Sequence, residues 1–209
     1  MPSASRSLLA AIGARWPAFA GDRPPDRAAL QQLVDDEGTA LVLVDPATTT
    51  DGYESAIAKG RIPTRDGSWH DAFNVLAFVR WPRAKLALHA RVLERPQGRG
   101  APGPRSREED ALALLDEAVI VVSGGPDAIA ELEVARTSGD IGAMSTVIAR
   151  GLHVRWFGHA LLEHLALGRP PIGAGVWTLV AGDHAAADAS LATEIAGGRF
   201  LVPGFTPTV

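Results

Sequence analysis

The chain has 209 residues, enough to bury a core, and its 46% hydrophobic and 21% charged content is that of a soluble globular protein. It contains no cysteine, which excludes disulfides, thiolate metal sites and cysteine nucleophiles and fits a reducing cytoplasm. The net charge of −4 is uneven: Arg80 to Arg107 carries eight cations against one acid, Glu94, leaving that stretch at +7 and the remainder at −11.

Leu8 to Trp16 reads as a mature amphipathic helix. Ser7 to Ala14 is apolar and Ala18-Phe19-Ala20 imitates a signal-peptidase site, but Arg15 ends a run already short for a signal peptide. Asp26 is an N-cap for a helix to about Asp35, with Ala28, Leu30, Leu33 and Val34 as its apolar face. Ala40 to Val44 is a continuous apolar run closed by Asp45-Pro46, which predicts a buried strand. Asp51-Gly52-Tyr53-Glu54 resembles a capping box opening a short helix that ends near Gly60. A helix from Ser68 breaks at Trp81-Pro82, where the proline begins a second helix to about Arg95.

Gln97 to Pro104 is rich in glycine and proline and predicts a flexible surface loop over 97–109. Ala111 to Leu115 and Val119 to Val122 flank Asp116-Glu117-Ala118 and predict a β-hairpin. Helices follow from Pro126 to about Arg136 and from Ile141 to Ala149. Leu152 to Phe157 predicts a strand, Gly158 a turn, and His159 to Leu167 a helix closed by Gly168. Val176 to Val180 is the last strand, and Asp183 to Ala196 the last helix. The longest uncharged run, thirteen residues from Pro170 to Gly182, is too short to span a bilayer. The sum is one layered α+β domain, helix-rich, with about five short strands including a hairpin near 111–122. In it, residues 1–50 form peripheral helices and a strand on a core of 51–203.

The densest chemistry lies in Trp69-His70-Asp71-Ala72-Phe73-Asn74, running on to Arg80, Arg83 and Lys85. On a helix from Ser68, His70 and Asn74 share a face, with Asp71 about a hundred degrees round. His70 and Asp71 can supply metal ligands. The plainer alternatives are a buried hydrogen-bonded histidine and an aspartate favoured by the helix dipole. His159 follows an apolar strand and a glycine at a helix N-terminus, where ligands gather, and Glu163 one turn on completes a spacing able to bind a divalent ion. A salt-bridged glutamate behind an N-terminal histidine is the plainer reading. Asp110 and Asp116 lie an even number of residues apart, so a regular strand would project both from one side, as a hard metal ion needs. Turn chemistry explains Asp116-Glu117 equally well. Arg83 and Lys85 can hold phosphate or carboxylate, or snorkel on a surface helix.

Four of these segments together resemble a family catalogued as a domain of unknown function, DUF3025. The carriers are Trp69 to Asn74, Pro82-Arg83-Ala84-Lys85-Leu86-Ala87-Leu88, Asp110 to Glu117, and Phe157-Gly158-His159-Ala160-Leu161-Leu162-Glu163, within a resemblance that covers about Tyr53 to Pro203. The chain departs from the family pattern at His89, where the pattern has asparagine, in a stretched Gly98 to Glu109, and at Ala118-Val119, where glycine is favoured. The resemblance implies no activity.

No phosphate-loop, dinucleotide, nucleophile-elbow, His-Glu-x-x-His or EF-hand pattern occurs. One tyrosine and six phenylalanines leave little for a base-stacking platform, although the basic stretch keeps nucleic acid open as a partner. The leading expectation is a pocket of His70, Asp71, Asn74, Asp110, Asp116 and His159 that performs divalent-metal-assisted hydrolysis of a phosphate ester or phosphodiester. Mg, Mn or Zn would be held by Asp71, Asp110, Asp116 and Glu163 together with His159. His70 and His159 would be the catalytic pair, and Asn74, Arg83 and Lys85 would bind the anionic substrate. The alternatives are a non-catalytic domain for an anionic ligand with a structural polar network, and a metal-independent acid–base enzyme using His70 and His159. The two enzymatic readings need the two histidines, eighty-nine residues apart, to lie within about 12 Å, since a shared reacting centre is limited by hydrogen-bond reach.

Overall fold

A computed structural model describes residues 3–50, 52–94, 106–170 and 172–199. Helices dominate these residues, with two small sheets, so the class is α+β. The amino-terminal part comprises α1 (Ser3–Arg15), α2 (Arg27–Asp36), β1 (Val42–Val44), α3 (Tyr53–Ala58) and β2 (Arg61–Pro63). The Asp26 side chain accepts the Ala29 N–H at 2.8 Å and caps α2 as expected. β1 pairs in parallel with β2, a three-residue strand that the sequence did not predict. Gly52 stands at the N-cap of α3 without a side-chain cap bond, and Asp51 lies outside the described residues.

α4 (Trp69–Arg80) is the axis of the site. The Ser68 hydroxyl accepts the Asp71 N–H and starts the helix; Pro82 ends it at Trp81 and serves as the first residue of α5 (Pro82–Leu93). Every residue from Asp71 to Val79 is buried, as befits a helix packed on all sides. Phe73 meets Phe19 and Trp69 in an apolar cluster that also takes Leu30 and Val34 from α2 and Leu162 from α9 (His159–Leu167).

The expected hairpin is half wrong. Residues 107–118 form α6 (Arg107–Ala118), and only β3 (Val119–Gly124) is a strand. Ser106 and Glu109 make a reciprocal capping box, and Ala, Leu and Glu fill the segment with good helix formers. Leu112 and Leu115, three apart, are its buried stripe, so 3.6-residue periodicity won over the apparent alternation. Residues 106–109 of the expected 97–109 loop therefore open this helix, and 97–105 lie outside the described residues.

β3 is the centre of a three-stranded sheet, antiparallel to β4 (His153–Trp156) and parallel to β5 (Gly175–Val180). Its side chains alternate: Val119 and Val121 face a cluster with α5, α6 and α10 (His184–Ala196). Ile120 and Val122 face α7 (Pro126–Ser138) and α8 (Ile141–Ala149). The turn from β4 into α9 crosses the end of α6, where Val119 O accepts both the Phe157 and Gly158 N–H at 2.9 Å. That crossing carries His159 to the end of α6. Among the described residues, no helix is long and apolar enough to cross a membrane.

Candidate metal centre in a polar cleft

A cleft of about 440 Å³ opens where α3, α4, α6 and α9 converge, lined by Tyr53, Arg65, His70, Asp71, Asn74, Asp116, Glu117 and His159 with Pro46 and Pro63. The two histidines meet directly, His70 Nε2 lying 3.1 Å from His159 Nε2 with the rings edge-to-face. Glu117 Oε2 is 3.4 Å from His159 Nε2, and the ligand atoms of His70, Glu117 and His159 all lie within 4.8 Å of one another.

The outer nitrogens of both rings face acceptors. His70 Nδ1 donates to Glu163 Oε2 at 3.1 Å, and the other oxygen of Glu163 is gripped by Arg169. His159 Nδ1 donates to the backbone carbonyl of Asp116 at 2.9 Å. A carboxylate and a carbonyl can only accept, so both rings are assigned as Nδ1–H tautomers. The two Nε2 atoms then face each other across 3.1 Å, a spacing that a shared proton or a bound cation would satisfy. Metal–nitrogen bonds of about 2.0–2.1 Å at a tetrahedral angle put two ligand nitrogens roughly 3.3 Å apart, close to what is found here. The Nδ1–H anchors are of the kind that orient metal-bound imidazoles.

Behind this centre runs a second network. Lys85 is wholly buried, with none of its surface exposed. Its ammonium binds the Asp116 carboxylate and donates to Asn74 Oδ1 at 2.9 Å, and it rests on the Phe78 ring. Asn74 Nδ2 donates to the Tyr53 hydroxyl oxygen at 2.7 Å. Next to it, His89 Nδ1 bonds Glu54 at 2.7 Å, while its Nε2 is buried with no partner among the described residues.

Charge follows from these contacts. Burial works against the Asp116 carboxylate, but Lys85 and the two nearby histidines outweigh it and hold its pKa well below the usual range. Burial, followed by the Lys85 charge, pushes His159 down to about 3, so its imidazole is neutral at physiological pH, as a metal ligand must be. Burial raises Glu117, and the Asp116 charge adds to the effect. Burial and Asp116 also raise the Tyr53 hydroxyl, which stays protonated.

The structure brings His70, Asp71, Asn74, Asp116 and His159 to one cleft, far inside the 12 Å limit. Asp71 is nonetheless occupied. Arg65 clasps it through its backbone N–H, Nε and NH2, at 2.7, 3.0 and 2.7 Å, and these bonds prevail over burial to keep its pKa low. Glu163 stands behind His70 instead of facing the cleft beside His159. Asp110, exposed on α6, is not at the cleft: six residues of helix turn it about 240° from Asp116, whereas a strand would have aligned them. Arg83 is exposed at the start of α5, where its backbone N–H is held by Asp188 of α10, and it too is absent from the cleft lining. Lys85 lies beneath the cleft as a buried partner of Asp116.

Sequence reasoning missed Glu117 as a site residue because a turn was assigned there; a helix through 107–118 would have carried it to the α6 end that His159 meets. Tyr53 and Arg65 carry no local signal, since only the packing of α3 and β2 against α4 brings them in. No curated protein and no solved structure matches the chain. The model of a family described as a protein of unknown function, DUF3025, matches residues 41–197, which contain every residue of the cleft, and the chain belongs to that family.

Proposed function

We propose that the cleft is a divalent-metal centre for hydrolysis, with His70 Nε2, His159 Nε2 and a Glu117 carboxylate oxygen as its three protein ligands. The single observation that carries this reading is the pair of Nε2 lone pairs set 3.1 Å apart by anchored Nδ1–H groups, with Glu117 Oε2 3.4 Å away. Two imidazoles and one carboxylate leave an open position on a tetrahedral ion, the arrangement that catalytic zinc sites use for water. Imidazoles suit Zn better than the all-oxygen preference of Mg, so Zn²⁺ heads the expected ions. An ion so held lowers the pKa of its water to about 7 and polarises a substrate oxygen.

The protein supplies the rest. Glu163 with Arg169, and the Asp116 carbonyl, fix the two rings. Lys85 keeps Asp116 ionised beneath them. Arg65, at the cleft mouth and already paired with Asp71, is the one Lys or Arg among the described residues that line the cleft, so the phosphate specificity expected from Arg83 and Lys85 has lost its main support. A phosphodiester, with a single negative charge, or an uncharged acyl group suits this lining better than a phosphate monoester.

The metal-independent alternative has one observation of its own: the His70 ring lies between Glu163 Oε2, 3.1 Å from its Nδ1, and the neutral His159, 3.1 Å from its Nε2, the geometry of a proton relay. Metal content separates the two. Protein purified without chelator is expected to contain about one equivalent of transition metal, and chelated protein to take up one Zn²⁺ in a competitive-dye titration. Glu117→Gln and His70→Ala should weaken that uptake about 10- to 100-fold or more, while Asp110→Asn leaves it unchanged. Absence of uptake by the parent chain refutes the metal centre.

A further inference from the structure

The polar chain beneath the cleft has a direction. Lysine can only donate, so Lys85 Nζ, 2.9 Å from Asn74, identifies that atom as Oδ1 and turns Nδ2 toward Tyr53. Asn74 Nδ2 then donates to the Tyr53 oxygen at 2.7 Å, which makes the phenol an acceptor there. The phenolic hydrogen itself has no acceptor among the described residues. Tyr53 lines the same cleft as His70, Glu117 and His159, with its ring partly exposed and its hydroxyl turned inward onto Asn74. Lys85 donates both to Asp116 and to Asn74, and from Lys85 through Asn74 to Tyr53 each bond runs the same way and polarises the next.

We infer that the Tyr53 hydroxyl donates a hydrogen bond to the substrate oxygen that gains negative charge on the ion held by His70, His159 and Glu117. Asn74 and Lys85 are positioning residues that aim it. The inference rests on the metal reading above and adds to it a donor for an oxyanion. No proton leaves Tyr53; the bond tightens as charge builds on the oxygen. His89 stacks on Phe78 and meets the Tyr53 ring edge-on, which holds the ring of this cleft-lining residue in place.

Tyr53 is the chain's only tyrosine, so growth on 3-fluorotyrosine labels this site alone. In the Zn²⁺-loaded protein, acetohydroxamate, an oxyanion that binds open zinc positions, should shift the single ¹⁹F resonance. Tyr53→Phe should bind acetohydroxamate about ten-fold more weakly, the loss of one hydrogen bond to a charged acceptor, with Zn²⁺ affinity unchanged. Asn74→Leu in the fluorotyrosine protein should abolish most of the ligand-induced shift, a signature that a merely structural asparagine would not alter. A resonance unmoved by acetohydroxamate, or a Tyr53→Phe protein that binds it as tightly as the parent, overturns the inference. Should Tyr53→Phe fail to fold, the ¹⁹F titration decides alone. If the chain takes up no Zn²⁺, the metal reading falls by itself, and titrating the metal-free fluorotyrosine protein with acetate then decides the donor: a shift supports it and no shift overturns it.

Discussion

Gly158 is the point at which the fold sets the site, and Gly158→Ala tests the connection. The glycine has φ −66° and ψ 119°, a conformation open to any residue, so the backbone angles do not require it. Space does. A Cβ at this position would lie 2.4 Å from the Ala118 nitrogen and 2.5 Å from both the carbonyl carbon and oxygen of Glu117. Carbon contacts begin near 3.5 Å, so the shortfall is about 1 Å, and it is against main chain that cannot rotate away. The α9 N-terminus must move off the end of α6, straining the two hydrogen bonds on Val119 O. Overpacking of this kind costs about 1–3 kcal/mol. His159, the next residue, would be displaced by about the same 1 Å from Glu117 and the Asp116 carbonyl, several times the roughly 0.2 Å tolerance of metal–ligand distances. Urea denaturation and competitive Zn²⁺ titration read the two effects. Gly125→Ala is the matched control, since Gly125 also caps a helix at φ −66° but has nothing within 4 Å of a Cβ. A Gly158→Ala protein as stable as Gly125→Ala, binding Zn²⁺ like the parent, would refute the reasoning.

Two further outcomes follow from other contacts. Lys85→Met should destabilise the fold by about 3 kcal/mol, the low end for breaking a buried ion pair, because the cleft leaves 19% of the Asp116 side chain accessible. A loss below about 1 kcal/mol in urea denaturation would show that the pair is effectively solvated. Burial disfavours the protonated form of His184, whose Nδ1 has no partner among the described residues and whose Nε2 donates to the Arg80 carbonyl. Its folded pKa lies below the ordinary 6.5, so the unfolded chain binds the proton first, and stability falls as pH drops below about 6.5. His184→Gln keeps a donor for Arg80 without titrating, and should lose less stability than the parent between pH 7 and pH 5. Equal losses would remove His184 from the acid sensitivity.

The sequence by itself determined most of the elements, because their signals are local. Asp26 and Asp183 cap helices, Pro82 splits α4 from α5, and Gly168 closes α9, each acting within a turn of its own position. The short apolar runs at 42–44, 153–156 and 175–180 were legible as strands for the same reason. The segment 107–118 failed because its Ala/Leu run fits both periods, and the deciding capping box lay in what looked like a loop. β2 failed because three residues carry no period at all. Of the site, His70, His159, Asn74, Asp71 and Asp116 could be singled out, since histidine, asparagine and carboxylates amid apolar residues need partners. Which partners they found was decided by tertiary structure alone. Lys85 and Arg83 are two residues apart, yet helical rotation buries one beneath the cleft and leaves the other exposed beside α10. The pairing of His70 with His159 and the arrival of Glu117 beside them both depend on α9 crossing the end of α6 at Gly158. That is a contact between segments some forty residues apart, and a distance of that kind is fixed by packing, not by any local pattern of side chains.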